Sequence, residues 1–250
     1  MFGAPQSTCS QRVRFVLNAK GLAFAERKLD LFAGDQLKED YLKLNPNGVV
    51  PTLVHGDAVV VDSSVICEYL DEVFPEPARF VPEDAAERAA MRSLMRFIDE
   101  VPTPAVRIPS YNLAFLRHYR AMSEEEFIAL AESKPLRKEF LLTMGRSGFS
   151  DDEMSKALDR LARGLGRMDD AFAAGGGRWL MGARLTLADI AVMPVIVRMN
   201  DIGLGHMWAD MPAIKRWLAA IEDHPAYPKT YYHGSLLTEQ YPELKQELAR

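Results

Sequence analysis

Two kinds of hydrophobic spacing divide the chain. In the first part, short apolar runs are separated by turns; after about Glu83, apolar residues recur at three- and four-residue steps. Val13, Val16 and Leu17 share one face of a helix predicted over Gln11–Lys20, and Gly21 stands where that helix ends. Ala23–Leu31 alternates around Phe24 and Leu29 and predicts a strand, whereas Phe32–Leu44 predicts a loop with a short helix. Thr52–His55 and Ala58–Val61 predict a hairpin turning at Gly56-Asp57. Asp62-Ser63-Ser64 caps a helix whose apolar face is Val65, Ile66, Tyr69, Leu70 and Val73.

Phe74-Pro75-Glu76-Pro77 predicts a stiff linker, since two prolines stop the helix there. Beyond it, Ala85–Val101 carries Met91, Leu94, Met95 and Ile98 on one face, and Pro102, Pro104 and Pro109 interrupt or kink the next stretch of chain. Ser123–Ser133 opens with a capping box. Ser150–Ala174 predicts a long amphipathic helix ended by three glycines. Thr186 and Asp189 form a second capping box before an apolar helix, and the expected role of both is folding. The first half therefore runs helix, strand, helix, strand, strand, helix, a thioredoxin-like order without its first strand. Only Met1 and Phe2 precede the first loop, so that strand is abnormally short or is completed by residues before Met1.

Within the first half, Asn45–Val54 holds the unusual chemistry. Proline fixes φ and cannot donate to a sheet ladder, so Pro51 belongs at the very start of its strand. A cis Val50–Pro51 bond would turn the chain sharply and offer the Val50 N–H and C=O to a ligand. Ser7-Thr8-Cys9-Ser10 stands where the first helix begins, a place where a helix N-terminus and a hydroxyl or thiol favour a nearby anion.

Loop, Val-Pro, hairpin and "DSSVICEYLDEVFPE" together resemble the glutathione-binding half of the glutathione S-transferases. The Thr186–Asp189 box resembles the buried one in that family's helical half, so the likeness runs along nearly the whole chain. It implies an α/β thioredoxin-like domain over residues 1–76 and an all-α, electrophile-binding domain over residues 83–250. By the same likeness Val50 and Pro51 hold the cysteinyl part of glutathione, and Asp62 and Ser63 hold its γ-glutamyl end. "STCSQRVRF" resembles the active segment of serine- and cysteine-type members. That match makes Ser7 the thiolate donor, with Cys9, Thr8 and Ser10 as further candidates; Cys9 as the working group would favour disulfide exchange instead. Gln36 falls where a contact to the glycyl carboxylate is common, with Lys38 or Lys43 as charged substitutes. Val49 departs from the pattern, because Lys or Gln is common there. Cys67 reads as core, and His118 and His206 as surface or rim.

The stretch from Ala121 to Leu161 resembles an insertion of the bacterial β-etherases, which use glutathione thiolate to displace an aryloxide. This likeness implies a small aromatic electrophile as second substrate, with Tyr111, Phe115, Tyr119, Met207 and Trp208 as candidate walls. The alternatives are a glutathione-dependent disulfide reductase or isomerase, and a non-catalytic interaction protein of the same fold. Bulk properties agree with an ordinary globular chain: of 250 residues, 48% are hydrophobic and 26% charged. Thirty basic against thirty-five acidic residues give −5, which does not suggest nucleic-acid binding. No apolar run suggests a membrane span, and neither the histidines nor the two cysteines have metal-ligand spacing. The expectation is a cytoplasmic protein, dimeric with itself or a close homologue.

Overall fold

A computed structural model describes residues 1–248. Its sheet has four strands in the order β2-β1-β3-β4: β1 Phe2–Gly3, β2 Arg27–Lys28, β3 Thr52–His55 and β4 Ala58–Val61. β1 runs parallel to β2 and antiparallel to β3, and β3 and β4 pair from Thr52↔Val61 to His55↔Ala58. The first strand is therefore present, two residues long. Its shortness explains why β2 is also two residues rather than the run expected over Ala23–Leu31: a strand is paired only as far as its neighbour extends.

Helices α1 Thr8–Ala19, α2 Glu39–Leu42 and α3 Ser63–Val73 complete this half. α1 begins three residues before its expected start because Ser7, not Ser10, is the N-cap. It ends at Lys20, and Gly21 takes the left-handed conformation, φ 64°. The buried Lys20 ammonium meets Asp71 at 2.8 Å and donates to the Phe74 and Ala78 carbonyls. Asp71 in turn accepts from the Phe80 and Val81 N–H groups, so one ion pair clamps the connecting segment onto α1 and α3.

The second half is helical: α4 Ala85–Glu100, α5 Pro102–Ser110, α6 Arg117–Arg120, α7 Glu124–Glu132, α8 Lys138–Met144, α9 Asp151–Gly175 and α10 Leu187–Asp201, then α11 Pro212–Glu222, α12 Tyr227–Thr230, α13 Leu237–Gln240 and α14 Glu243–Leu248. α10 is apolar on every side, and Leu187 through Met199 are all buried. A helix of that kind belongs in the centre of a core. It packs on α1, α4 and α5, so the main hydrophobic core runs without a break from Val13, Phe15 and Ile66 to Met91, Ile98 and Trp217. A second core gathers Phe115, Tyr119, Phe127, Leu141 and Met144 with Leu237 and Leu244, which packs the α7–α8 segment against α6, α13 and α14.

Asp189 stands in the first turn of α10, the helix that packs on both halves. Its carboxylate accepts from the N–H of Leu180 (2.8 Å), the N–H and hydroxyl of Thr186 (3.0 Å each) and the indole N–H of Trp217 (2.9 Å). Burial pushes this carboxyl above its ordinary pKa, while the four donors pull it back. The contacts are all structural, in keeping with a capping role.

Candidate active site

The loop from Ala4 to Ser7, between β1 and α1, is held by side chains from both halves. Arg14 donates to Ala4 C=O (3.3 Å), Gln11 to Pro5 C=O (3.1 Å) and Arg198 of α10 to Gln6 C=O (2.6 Å). Ser7, as N-cap, accepts the Ser10 N–H at 3.2 Å. An accepting hydroxyl keeps its own proton to give, so Ser7 can donate into the cleft it lines. Ser10 is fully buried and accepts the Ala4 N–H at 3.3 Å. That corrects the expectation that Ser10 would face the ligand: it braces the loop from beneath. Thr8 and Cys9 line the cleft beside Ser7.

The Val50–Pro51 bond is cis. Tyr41 Oη (2.6 Å) and Asn45 Nδ2 (2.9 Å) both donate to the Val49 carbonyl, which is thereby spent inside the protein. Val50 is left with N–H and C=O unpaired among the described residues, in a backbone that lines the cleft. Gln36 is buried, and its Nε2 donates to Leu31 C=O at 3.2 Å. Its Oε1 has no partner. The residue therefore offers an acceptor as well as the second proton of its amide. Lys38 and Lys43, the suggested charged substitutes, are solvent-facing and paired with Asp35 and Glu39.

Asp62 has φ 72° and is the one non-glycine residue of positive φ among those described. Such a conformation costs about 1–3 kcal/mol and is held only where its surroundings require it. Here Oδ1 caps α3 by accepting from Ser64 and Val65 N–H. Ser63 is buried next to it. Behind the pair lies Arg12, also buried, which donates to Asp99 of α4 (2.5 Å), Thr103 of α5 (2.8 Å) and Ser63 (3.4 Å).

Two compartments open from these residues. One reaches from Asp62 and Ser63 to Asp99 and Thr103; the other reaches from Ser7, Gln36 and Asn47 to Tyr111, Phe115 and Tyr119. Cys9, Val49, Val50, Arg107, Leu136 and Arg137 line both, so the compartments meet at the cis-proline turn. The aromatic wall depends on Pro109. With no N–H to give, it interrupts the helix ladder, and the next turn is a π turn over Tyr111–Phe115, closed by Leu116 N–H to Tyr111 C=O at 2.8 Å. Tyr111 packs edge-on to Phe115 (5.0 Å) and stacks with Tyr119 (6.3 Å). Burial raises both phenol pKa values, so each hydroxyl remains a donor at neutral pH.

Other candidates fall elsewhere. Met207 and Trp208 pack in the main core, away from the cleft. His118 stacks on Phe32 at 3.9 Å and hydrogen-bonds Tyr241, and His206 is exposed. Cys67 is buried, and burial pushes its thiol up. Among the described residues no cluster of His, Cys, Asp or Glu could hold a metal, and no helix is long and apolar enough to cross a membrane. Sequence reasoning missed Arg12, Arg107, Lys134, Arg137 and Arg198, because a charged residue on a helical face ordinarily reads as solvated.

Comparison with known proteins agrees with this arrangement. A family model of the glutathione S-transferase N-terminal domain matches residues 6–73, and one of the C-terminal domain matches residues 145–220. Glutathione S-transferase 1 of Dianthus caryophyllus is 32% identical over 209 residues, 84% of this chain and 80% of that protein. The chain belongs to the glutathione S-transferase family. Protein LigF of Sphingobium sp. strain SYK-6 is 27% identical over 86% of each chain. Its crystal structure, that of a beta-etherase, superposes with a TM-score of 0.82 at 26% identity, covering 92% of this chain and 97% of that one. A probable maleylacetoacetate isomerase of Vibrio cholerae is 25% identical over 91% of this chain and 92% of its own length. The fold is the thioredoxin-like plus all-α fold of this family.

Proposed function

We propose that this glutathione transferase uses glutathione to cleave aryl ethers next to a ketone. The observation that carries the reading is the free Val50 backbone pair, set between the Ser7 hydroxyl and the Asp62-Ser63 corner and opening onto an aromatic cavity. The residues present suit glutathione along its length. Asp62 and Asp99 face its ammonium, and Ser63 with the α3 N-terminus faces its α-carboxylate. Val50 pairs with the cysteinyl backbone. The unpartnered Gln36 Oε1 suits the glycyl N–H. The Lys134–Arg137 segment covers Gly48: a Cβ built there would lie 3.5 Å from the Pro135 ring. Lys134 thus stands in for the basic residue missing at Val49.

The chemistry glutathione supplies is a thiolate able to displace aryloxide from the carbon beside the ketone. A free thiol has a pKa of about 8.5 and is mostly protonated at neutral pH. A hydrogen bond from Ser7 to the anion contributes about 1.5–3 kcal/mol, or about one to two pKa units. The N-terminus of α1 adds up to about 1 kcal/mol. Cys9 lies at the meeting of the compartments and is a free thiol, but a thiol is the weaker donor. The β-etherase likeness supports ether cleavage; the isomerase likeness supports isomerisation as the second reading. We place the protein in the cytoplasm as a dimer.

Turnover on three substrates separates the readings: an α-aryloxy ketone, a cis-configured unsaturated diketo acid and a glutathione mixed disulfide, each with glutathione. Release of the phenol with formation of the thioether is expected. Isomerisation or disulfide reduction without phenol release would replace the ether-cleavage reading.

A further inference from the structure

The aromatic compartment is lined by Arg107, Lys134, Arg137 and Arg198 and by no aspartate or glutamate. Arg198 has its own partners, Asp201 and the Gln6 carbonyl. Arg107, Lys134 and Arg137 are half-buried, and none meets a carboxylate among the described residues; Arg137 donates only to Leu136 C=O, at 2.9 Å. The three lie close enough to act on one another. Burial and then Arg107 lower the Arg137 pKa, and burial and then Arg137 lower that of Lys134. Three gathered like charges without a counter-ion repel, so the site gains from an anion that neutralises them.

Glutathione accounts for part of this charge. On the binding mode proposed above, its γ-glutamyl end lies in the other compartment, with Asp62, Ser63 and Asp99. Only the thiolate and the glycyl carboxylate reach this wall, and Lys134, which lines the compartment together with Gly48 and precedes the Pro135 that covers it, is positioned for the second. Within the aromatic compartment the two arginines then face one sulfur. Arg107 and Arg137 line both compartments, while Tyr111, whose hydroxyl is a donor, and Phe115 form the apolar floor of one.

From this surplus we infer that the second substrate is an aromatic acid, its ring on Tyr111 and Phe115 and its carboxylate on Arg107 and Arg137. An arginine pair with a tyrosine hydroxyl matches a planar carboxylate well. The inference rests on the glutathione-transferase reading and narrows its substrate class from neutral to acidic aryl compounds.

Calorimetry with two stable conjugates tests it without turnover: S-phenacylglutathione, and the same conjugate with a carboxylate on the ring. Glutathione alone is titrated in parallel. The wild type should bind the acid at least about tenfold more tightly than the neutral conjugate, a gap that shrinks with added salt. Arg107→Gln and Arg137→Gln should each cut the gap to about threefold or less. Equal affinities in the wild type, or a gap that both variants retain, overturn the inference even if glutathione binds. Failure of glutathione and both conjugates to bind overturns the glutathione-transferase reading and this inference with it.

Discussion

The two walls of the cleft satisfy their polar groups in opposite ways. On the thioredoxin-like side the groups that support the site are paired within the protein: the carbonyls of the Ala4–Gln6 loop, the Val49 carbonyl and the Arg12 guanidinium with Asp99. Among the groups it leaves free toward the cleft are the Ser7 hydroxyl proton, the Val50 backbone pair and Gln36 Oε1, while Arg12 Nε stays without a partner behind it. On the helical side Arg107, Lys134 and Arg137 are gathered and left without counter-ions above an aromatic floor. A wall of the first kind is set in advance for one ligand. A wall of the second kind is incomplete until a ligand of the right charge arrives, and on the proposal above it would select among electrophiles.

The comparison rests on a shared floor, and the largest expected effect is there. Asp189→Ala leaves the N–H groups of Leu180, Thr186 and Trp217 buried without an acceptor, at about 1–3 kcal/mol each. A fall in Tm of more than about 10 °C is expected, at about 2–4 °C per kcal/mol, while the folded fraction keeps its turnover. Lost turnover at unchanged Tm would move Asp189 from the floor into the site.

Asp99→Ala comes next. It strands the Arg12 charge in the first wall, and about 3 kcal/mol of stability should go, since breaking a buried pair from one side costs about 3–5 kcal/mol and Asp99 is partly exposed. Denaturant unfolding measures it; a loss under about 1 kcal/mol would mean that this wall is not held by its pairs. Lys134→Ala should weaken glutathione binding about fivefold, or about 1 kcal/mol, with a shallower salt dependence by calorimetry. The smallest effect sharpens the contrast most. Arg137→Gln removes a charge from the second wall and should leave stability unchanged or raise it by up to about 0.5 kcal/mol, because the repulsion with Arg107 and Lys134 that is lost offsets the one hydrogen bond to Leu136 C=O. The same class of change thus destabilises one wall and spares the other.

How much of this could be read from the sequence depends on the range of each interaction. The Thr186–Asp189 box and the Asp62 cap lie within three residues of their partners, and the spacing alone reveals them. The Val50–Pro51 step is visible for the same reason as a place where a cis bond would turn the chain, though not that the bond is cis. The length of β2 is not, because it is set by β1, which is 25 residues away in register. Arg12 reads as a solvated charge until Asp99, 87 residues on, is brought against it. Arg107, Lys134 and Arg137 come together only when the α7–α8 segment folds over the Gly48 loop, and their spacing does not announce it. Gln36 is legible by position, but not that Leu31 C=O takes one of its two amide protons and leaves Oε1 without a partner.

The central claim is that Ser7 makes the bound thiol a nucleophile. The direct measurement is the thiolate absorbance of enzyme-bound glutathione against pH, in the wild type, Ser7→Ala and Cys9→Ala. In the wild type the midpoint should lie about one to two units below that of the free thiol, at about 8.5. Ser7→Ala should raise it by at least about one unit and slow thioether formation in parallel, while Cys9→Ala should do little to either. A midpoint that ignores Ser7→Ala, with activity abolished by Cys9→Ala, would contradict the account and assign the site to thiol exchange.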